Sequence, residues 1–176
     1  MWRAILVVVG LGITVLPQAG RADPLTVTKN ALVVADQVNL AAPKALPGAT
    51  VDYRVRFTNP TGNLLTPVRN ISVEDVLPTR VVLRVADLAA AGKGPVEFLD
   101  GSLLGLGLLG SGLTCGFTSY ASTTDCIDFF DGTSWTYVPT PDADGYDARV
   151  RAIRVKPVTT FTTNGSFQIR YRVKIR

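Results

Sequence analysis

Residues 166–176 read SFQIRYRVKIR. Phe167, Ile169, Tyr171, Val173 and Ile175 alternate with Gln168, Arg170, Arg172, Lys174 and Arg176. This is the period of two that a β-strand shows when one face is buried and the other meets water. At about 3.3 Å per residue the run reaches roughly 35 Å, far beyond the usual strand of about five or six residues. The sequence therefore predicts one long strand with an apolar inner face and a basic outer face.

The same period recurs upstream. VDYRVRFTN (residues 51–59) sets Val51, Tyr53, Val55 and Phe57 against Asp52, Arg54, Arg56 and Thr58. Shorter strands are expected in LTVTKNALVVAD, RNISVEDVL, RVVLRV, PVEFL, CIDFF, SWTYV and RVRAIRVK. NPTGN, LPT, DGTS, PTPDADG and TNGS separate them and supply the Pro, Gly and Asn that sharp reversals require. No stretch has the periodicity of a three-turn amphipathic helix. About 8–10 strands with regular turn signals point to an all-β antiparallel sandwich. In RVRAIRVK the apolar set shifts from Val150 and Ala152 to Ile153 and Val155, and a bulge at Ala152 and Ile153 would restore the period.

The chain opens MWRAILVVVGLGITVLPQAGRADP, with Arg3, an apolar run over residues 4–16, and small residues at Gly20 and Ala22. That run is shorter than the roughly 18–20 residues of a spanning helix, so residues 1–22 read as a cleaved secretory signal, with the mature chain starting at Asp23. Residues 23–46 then hold an N-terminal strand and linker, and residues 47–176 a β-sandwich domain. No membrane span is expected after cleavage. Export places Cys115 and Cys126, the two cysteines, in an oxidising compartment, where one disulfide is the simplest pairing.

There is no histidine, which removes the commonest general base and the commonest zinc or copper ligand. Net charge is +4, and its distribution is uneven. Residues 94–148 hold no Lys or Arg but include Glu97, Asp100, Asp125, Asp128, Asp131, Asp142, Asp144 and Asp147; residues 149–176 hold only bases among their charged groups. Such segregation creates complementary patches within one fold or between molecules.

Four motifs invite chemistry. GLGLLG (residues 105–110) spells G-x-G-x-x-G, but the dinucleotide reading needs a βαβ context that nothing here supplies, so a leucine-rich loop is expected. Asp142, Asp144 and Asp147 of DADGYD offer oxygen ligands for calcium, yet Gly145 and Ile153 stand where an EF-hand loop would not place them, and an acidic turn is the favoured reading. Paired carboxylates suit a glycosidase only in a cleft at about 5–10 Å, and no nucleophile motif accompanies them. The C-terminal bases lack the interleaved stacking aromatics of a nucleic-acid binder. No cofactor, no nucleic-acid partner and no enzymatic activity are expected.

Over residues 25–83 the chain resembles the DUF11-type repeat domain of bacterial surface proteins. The resemblance rests on Pro47-Gly48, the strand around Tyr53, Asn59 with Gly62-Asn63, then Val73, Asp75 and Leu77-Pro78. DADGYDARVRAIRV is reminiscent of the same group; LLTPV after the Asn-Gly turn and the lack of tandem copies depart from it. The resemblance implies an immunoglobulin-like sandwich at the exterior of a bacterial cell, with a structural or adhesive role.

The expected function is that of a non-enzymatic, secreted cell-surface or matrix subunit that assembles with copies of itself or with other surface components. Leu25, Val27, Leu32 and Val34 of the N-terminal strand are the expected donor residues. Arg170, Arg172 and Lys174 are expected to face acids of a neighbour or an acidic polysaccharide, against which stands the simpler reading of a solvated sheet face. The alternative is a monomeric adhesin or polysaccharide-binding module with Trp135 and Tyr137 as stacking residues, against which stands a simpler use of that pair in a hairpin core.

Overall fold

The computed structural model describes residues 22–104 and 108–176. Residues 1–21 of the expected signal, and Gly105 and Gly107 of the glycine motif, lie outside the described residues. Twelve strands are present among the described residues: β1 (Thr26–Ala35), β2 (Thr50–Thr58), β3 (Val68–Arg69), β4 (Val73–Val76), β5 (Val81–Arg84), β6 (Val96–Asp100), β7 (Leu109–Gly110), β8 (Ile127–Phe130), β9 (Tyr146–Asp147), β10 (Ala152–Val155), β11 (Thr160–Phe161) and β12 (Gly165–Ile175). The count exceeds the expected 8–10 because several are two-residue pairings.

β12 is the axis of the large sheet. Along one edge it pairs antiparallel with β2, from Ser166 opposite Thr58 to Lys174 opposite Thr50. The other edge is shared: β6 covers Phe167 to Tyr171, β5 covers Val173 to Ile175, and β7 makes a short parallel pairing with Gly165 and Ser166. β1 lies beyond β2, and β9 beyond β5. The second layer is the antiparallel sheet β4-β10-β8, and β11 pairs with β3 separately.

The core lies between the two layers. Phe167, Ile169, Tyr171 and Val173 of β12 meet Val51, Val55 and Phe57 of β2 on one side, and Phe129, Ile153 and Val155 of the smaller sheet on the other. Phe167 is fully buried, with ring centroids of Phe57, Phe98 and Phe161 at 4.9, 5.1 and 5.4 Å. All-β order follows from the β-branched and aromatic content of these runs, which packs well on a pleated, half-buried surface.

Polar residues hold the turns between strands. Asn59 is fully buried, and its carboxamide donates to the Phe161 carbonyl at 2.8 Å while accepting from Asn63 Nδ2 at 2.7 Å. The NPTGN reversal is thereby tied to β11 and to the entry of β12. Cys115 and Cys126 are joined, with Cα atoms 5.4 Å apart, and pin the loop leading into β8.

Two local expectations are corrected. β10 pairs in unbroken register with β4 and β8, with no bulge at Ala152 and Ile153. Ala152 and Ile153 are both buried, Ala152 standing between Val76 and Phe130 of the flanking strands, without a register change. The register shift falls instead in β1, between Val33 and Ala35. SWTYV forms no strand; Thr136 makes a single parallel bridge to Phe129.

Phe167→Ala is expected to destabilise the protein by about 3–5 kcal/mol, because it empties the meeting point of three rings. Val76→Ala, at a position 74% exposed, is expected to stay within about 0.5 kcal/mol. Urea unfolding of both variants checks the contrast.

Candidate functional site

The outer face of β12 carries the bases singled out in the sequence, and the structure pairs each with an acid of the same chain. Arg170 reaches Glu97 at 2.6 Å and Asp52 at 3.1 Å. Arg172 makes a two-pronged contact with Asp52, Nε to Oδ1 at 2.6 Å and Nη2 to Oδ2 at 3.0 Å. Lys174 contacts Asp144 at 3.1 Å and lies over the Tyr146 ring. Strand order explains this: Asp52 faces Arg172 across β2 and β12, and Glu97 faces Arg170 across β6 and β12.

Asp52 is the hub of that face, with a side chain 1% exposed. Burial pushes its carboxyl up, but the Arg172 and Arg170 guanidiniums more than offset this and hold it below the ordinary carboxylate range. Arg54 and Arg56, the remaining bases of β2, form no ion pair among the described residues, and the buried Nε of Arg56 has no hydrogen-bond partner. Along β2 and residues 166–176, positive charge without an acid partner among the described residues therefore sits on Arg54 and Arg56 of β2 and on Arg176, whose guanidinium donates to the Ala148 carbonyl.

The opposite edge of the sandwich is open. β1 ends the large sheet and β4 ends the small one, and the seam between them is an apolar cleft of about 430 Å³ lined by Leu25, Val27, Val55, Phe57, Ile71 and Val73. Lys29 spans the seam to Asp75 at 2.5 Å, and Tyr171 donates its hydroxyl to the same carboxylate at 2.7 Å. Burial, with the Asp75 charge beside it, drives the Tyr171 phenol pKa far upward, so it stays a donor.

Of the expected donor residues, Leu25 and Val27 line the seam, Leu32 is on the outer face beside Asp52, and Val34 is at the register shift. Odd and even positions of a strand point to opposite faces, so the four do not form one surface. β1 pairs with β2 of its own chain from Thr26 opposite Thr58 to Ala35 opposite Thr50, yet none of its residues is buried. The linker after it is gathered by Asp36, whose carboxylate accepts from the backbone N–H groups of Asn39, Lys44 and Val38 and is held low by them.

The three aspartates of DADGYD are separately engaged. Asp142 accepts from the amides of Tyr146 and Asp144. Asp144 pairs with Lys174. Asp147 is buried and accepts from the Tyr137 hydroxyl and the Thr140 and Arg149 amides. No group of three or more metal-ligating side chains is assembled among the described residues. Trp135 stacks on Phe130 with the Arg154 guanidinium 3.8 Å from its ring centroid, and with Tyr137 it borders a cleft of about 200 Å³ on the outer side of the small sheet. Tyr137 packs against the core, whereas Trp135 is not part of it. Lys29, Asp52, Glu97 and Asn63 carry roles that periodicity could not reveal, since each depends on a partner distant in sequence.

No protein-family model, curated protein or solved structure matches the chain. No helix among the described residues is long and apolar enough to cross a membrane.

Asp52→Asn is expected to cost about 1.5–3 kcal/mol, the value of hydrogen bonds to a charged partner. A depressed carboxyl pKa gives stability that is present above the unfolded value of about 3.9 and is lost as pH falls through the folded value. Wild-type stability should therefore decline at acid pH more steeply than that of the variant, as read by denaturant midpoints between pH 7 and pH 3.

Proposed function

We propose that the protein is a non-enzymatic, secreted structural subunit of a bacterial cell exterior that assembles with copies of itself by exchanging β1. The observation that carries this reading is the contrast within β1: a ladder to β2 along its length, and no buried side chain. Its hold on the domain is mostly main-chain hydrogen bonding, which the same strand of a second copy supplies equally well. Exchange of an identical element conserves the contacts, so concentration and the linker decide the balance. The open seam beside β1 gives the incoming strand an apolar bed. The signal-like N-terminus and the DUF11-type resemblance support an exterior location.

A cysteine pair at Thr26 and Thr58, cross-strand neighbours, tests this. Adjacent antiparallel strands bring Cα atoms to about 4.5–5.5 Å, within disulfide range. Oxidised T26C/T58C protein taken from assemblies should run as covalent multimers on a non-reducing gel. Bonds confined to single chains in those assemblies would reject exchange.

A second reading is favoured by Arg54 and Arg56. Two neighbouring-face guanidiniums without acid partners suit an anionic polymer such as an acidic polysaccharide. Replacing both with Gln should abolish salt-sensitive co-sedimentation with polygalacturonate, whereas Lys174→Gln, whose cation already pairs with the exposed Asp144, should reduce it less.

A further inference from the structure

The chain just ahead of β1 is held by a buried carboxamide. The Asp23 backbone N–H donates to Asn63 Oδ1 at 2.6 Å, and Asn63 Nδ2 donates back to the Asp23 carbonyl at 3.0 Å. Asn63 is 2% exposed and passes its remaining bond to Asn59. One side chain thus reads both polar groups of a single residue, as a neighbouring strand would. A Cβ at Gly62 would meet the Asp23 carboxylate, the end of an exposed side chain that can turn aside. Asp23 and Ala22 are themselves exposed.

We propose that cleavage between Ala22 and Asp23 turns this contact into an amino-terminal latch: the new α-ammonium of Asp23 is captured by Asn63, and the latch decides whether β1 stays on its own sheet. The proposal rests on the reading of residues 1–22 as an export signal. In the cleavage, water is the co-reactant and a signal endopeptidase selective for small residues the catalyst. The Ala22–Asp23 C–N bond breaks, Ala22 leaves as a carboxylate, and the Asp23 nitrogen takes up a proton to become an ammonium.

The consequence is electrostatic. Before cleavage a neutral amide meets the Asn63 oxygen; afterwards a cation does, and hydrogen bonds from charged donors are shorter and about twice as strong. The charged neighbour within the seat is the Asp23 carboxylate itself. Asn59, Asn63 and Thr163, whose hydroxyl donates to the Asn63 carbonyl, are neutral. The Asn63 acceptor thus holds the ammonium more strongly than it holds the amide of the uncleaved chain. Releasing it frees the end of a strand that has little side-chain burial to hold it, so the latch stands upstream of exchange.

Three exported proteins test this: wild type, Asn63→Ala, which removes both bonds to the Asp23 backbone, and a chain retaining Ala22, which moves the ammonium one residue away. N-terminal sequencing and intact mass establish the first residue. Hydrogen exchange reports on the β1 amides. Wild type is expected to begin at Asp23 and to exchange its β1 amides about tenfold or more slowly than both variants, the ratio expected from a charge-assisted hydrogen bond. An exported chain beginning elsewhere overturns the processing step. A chain that begins at Asp23 but exchanges like the variants overturns the latch and leaves the export reading standing.

Discussion

Everything in this sandwich is organised by β12, whose one face must be dry and whose two edges must be paired. Buried main-chain N–H and C=O groups left without partners are costly, so a strand spanning residues 165–175 requires continuous neighbours on both sides. β2 supplies one side in a single run, whereas β6 and β5 share the other end to end. The loop between β5 and β6 is thereby placed at the middle of β12, where Asp87 accepts from the amides of Gly92 and Gly94 and closes the chain between the two strands.

The pairing also settles the electrostatics. Alternation puts Arg170, Arg172 and Lys174 on the outer face, and the partners required by the ladder bring Asp52 and Glu97 beside two of them. Exposed ion pairs are individually worth about 0–1 kcal/mol, but Asp52 is buried and shared by two guanidiniums, which makes it a structural group. Cations that are spent inside the fold contribute little to binding outside it. Arg54 and Arg56 of β2, by contrast, form no ion pair among the described residues.

β1 is the counterpart of β12: an edge strand of comparable length with no fully buried side chain. It is fastened at points, by Lys29 crossing to Asp75, by Asp36 gathering the linker behind it, and by Asn63 holding Asp23 in front of it. A strand fastened at points can be released at points, whereas a strand buried along its length cannot leave without exposing the core. The proposed exchange of β1 rests on this difference in burial.

The all-β class, the long C-terminal strand with its apolar and basic faces, and the cysteine pair were legible in the chain, because period-two alternation, turn chemistry and cysteine number are local properties. Strand partners were not. Asp52 and Arg172, Lys29 and Asp75, and Asp23 and Asn63 lie 120, 46 and 40 residues apart, and alternation carries no information about strand order. The same reason accounts for DADGYD, where the composition suggested a cation site but the turn and β9 send Asp142, Asp144 and Asp147 to three different sets of partners. It accounts also for Ala152 and Ile153, adjacent and both buried because a sheet can be covered on two sides. What the sequence determined by itself was which residues turn inward; which acid meets which base, and which strand is left loosely held, were decided only by the order in which the strands pack.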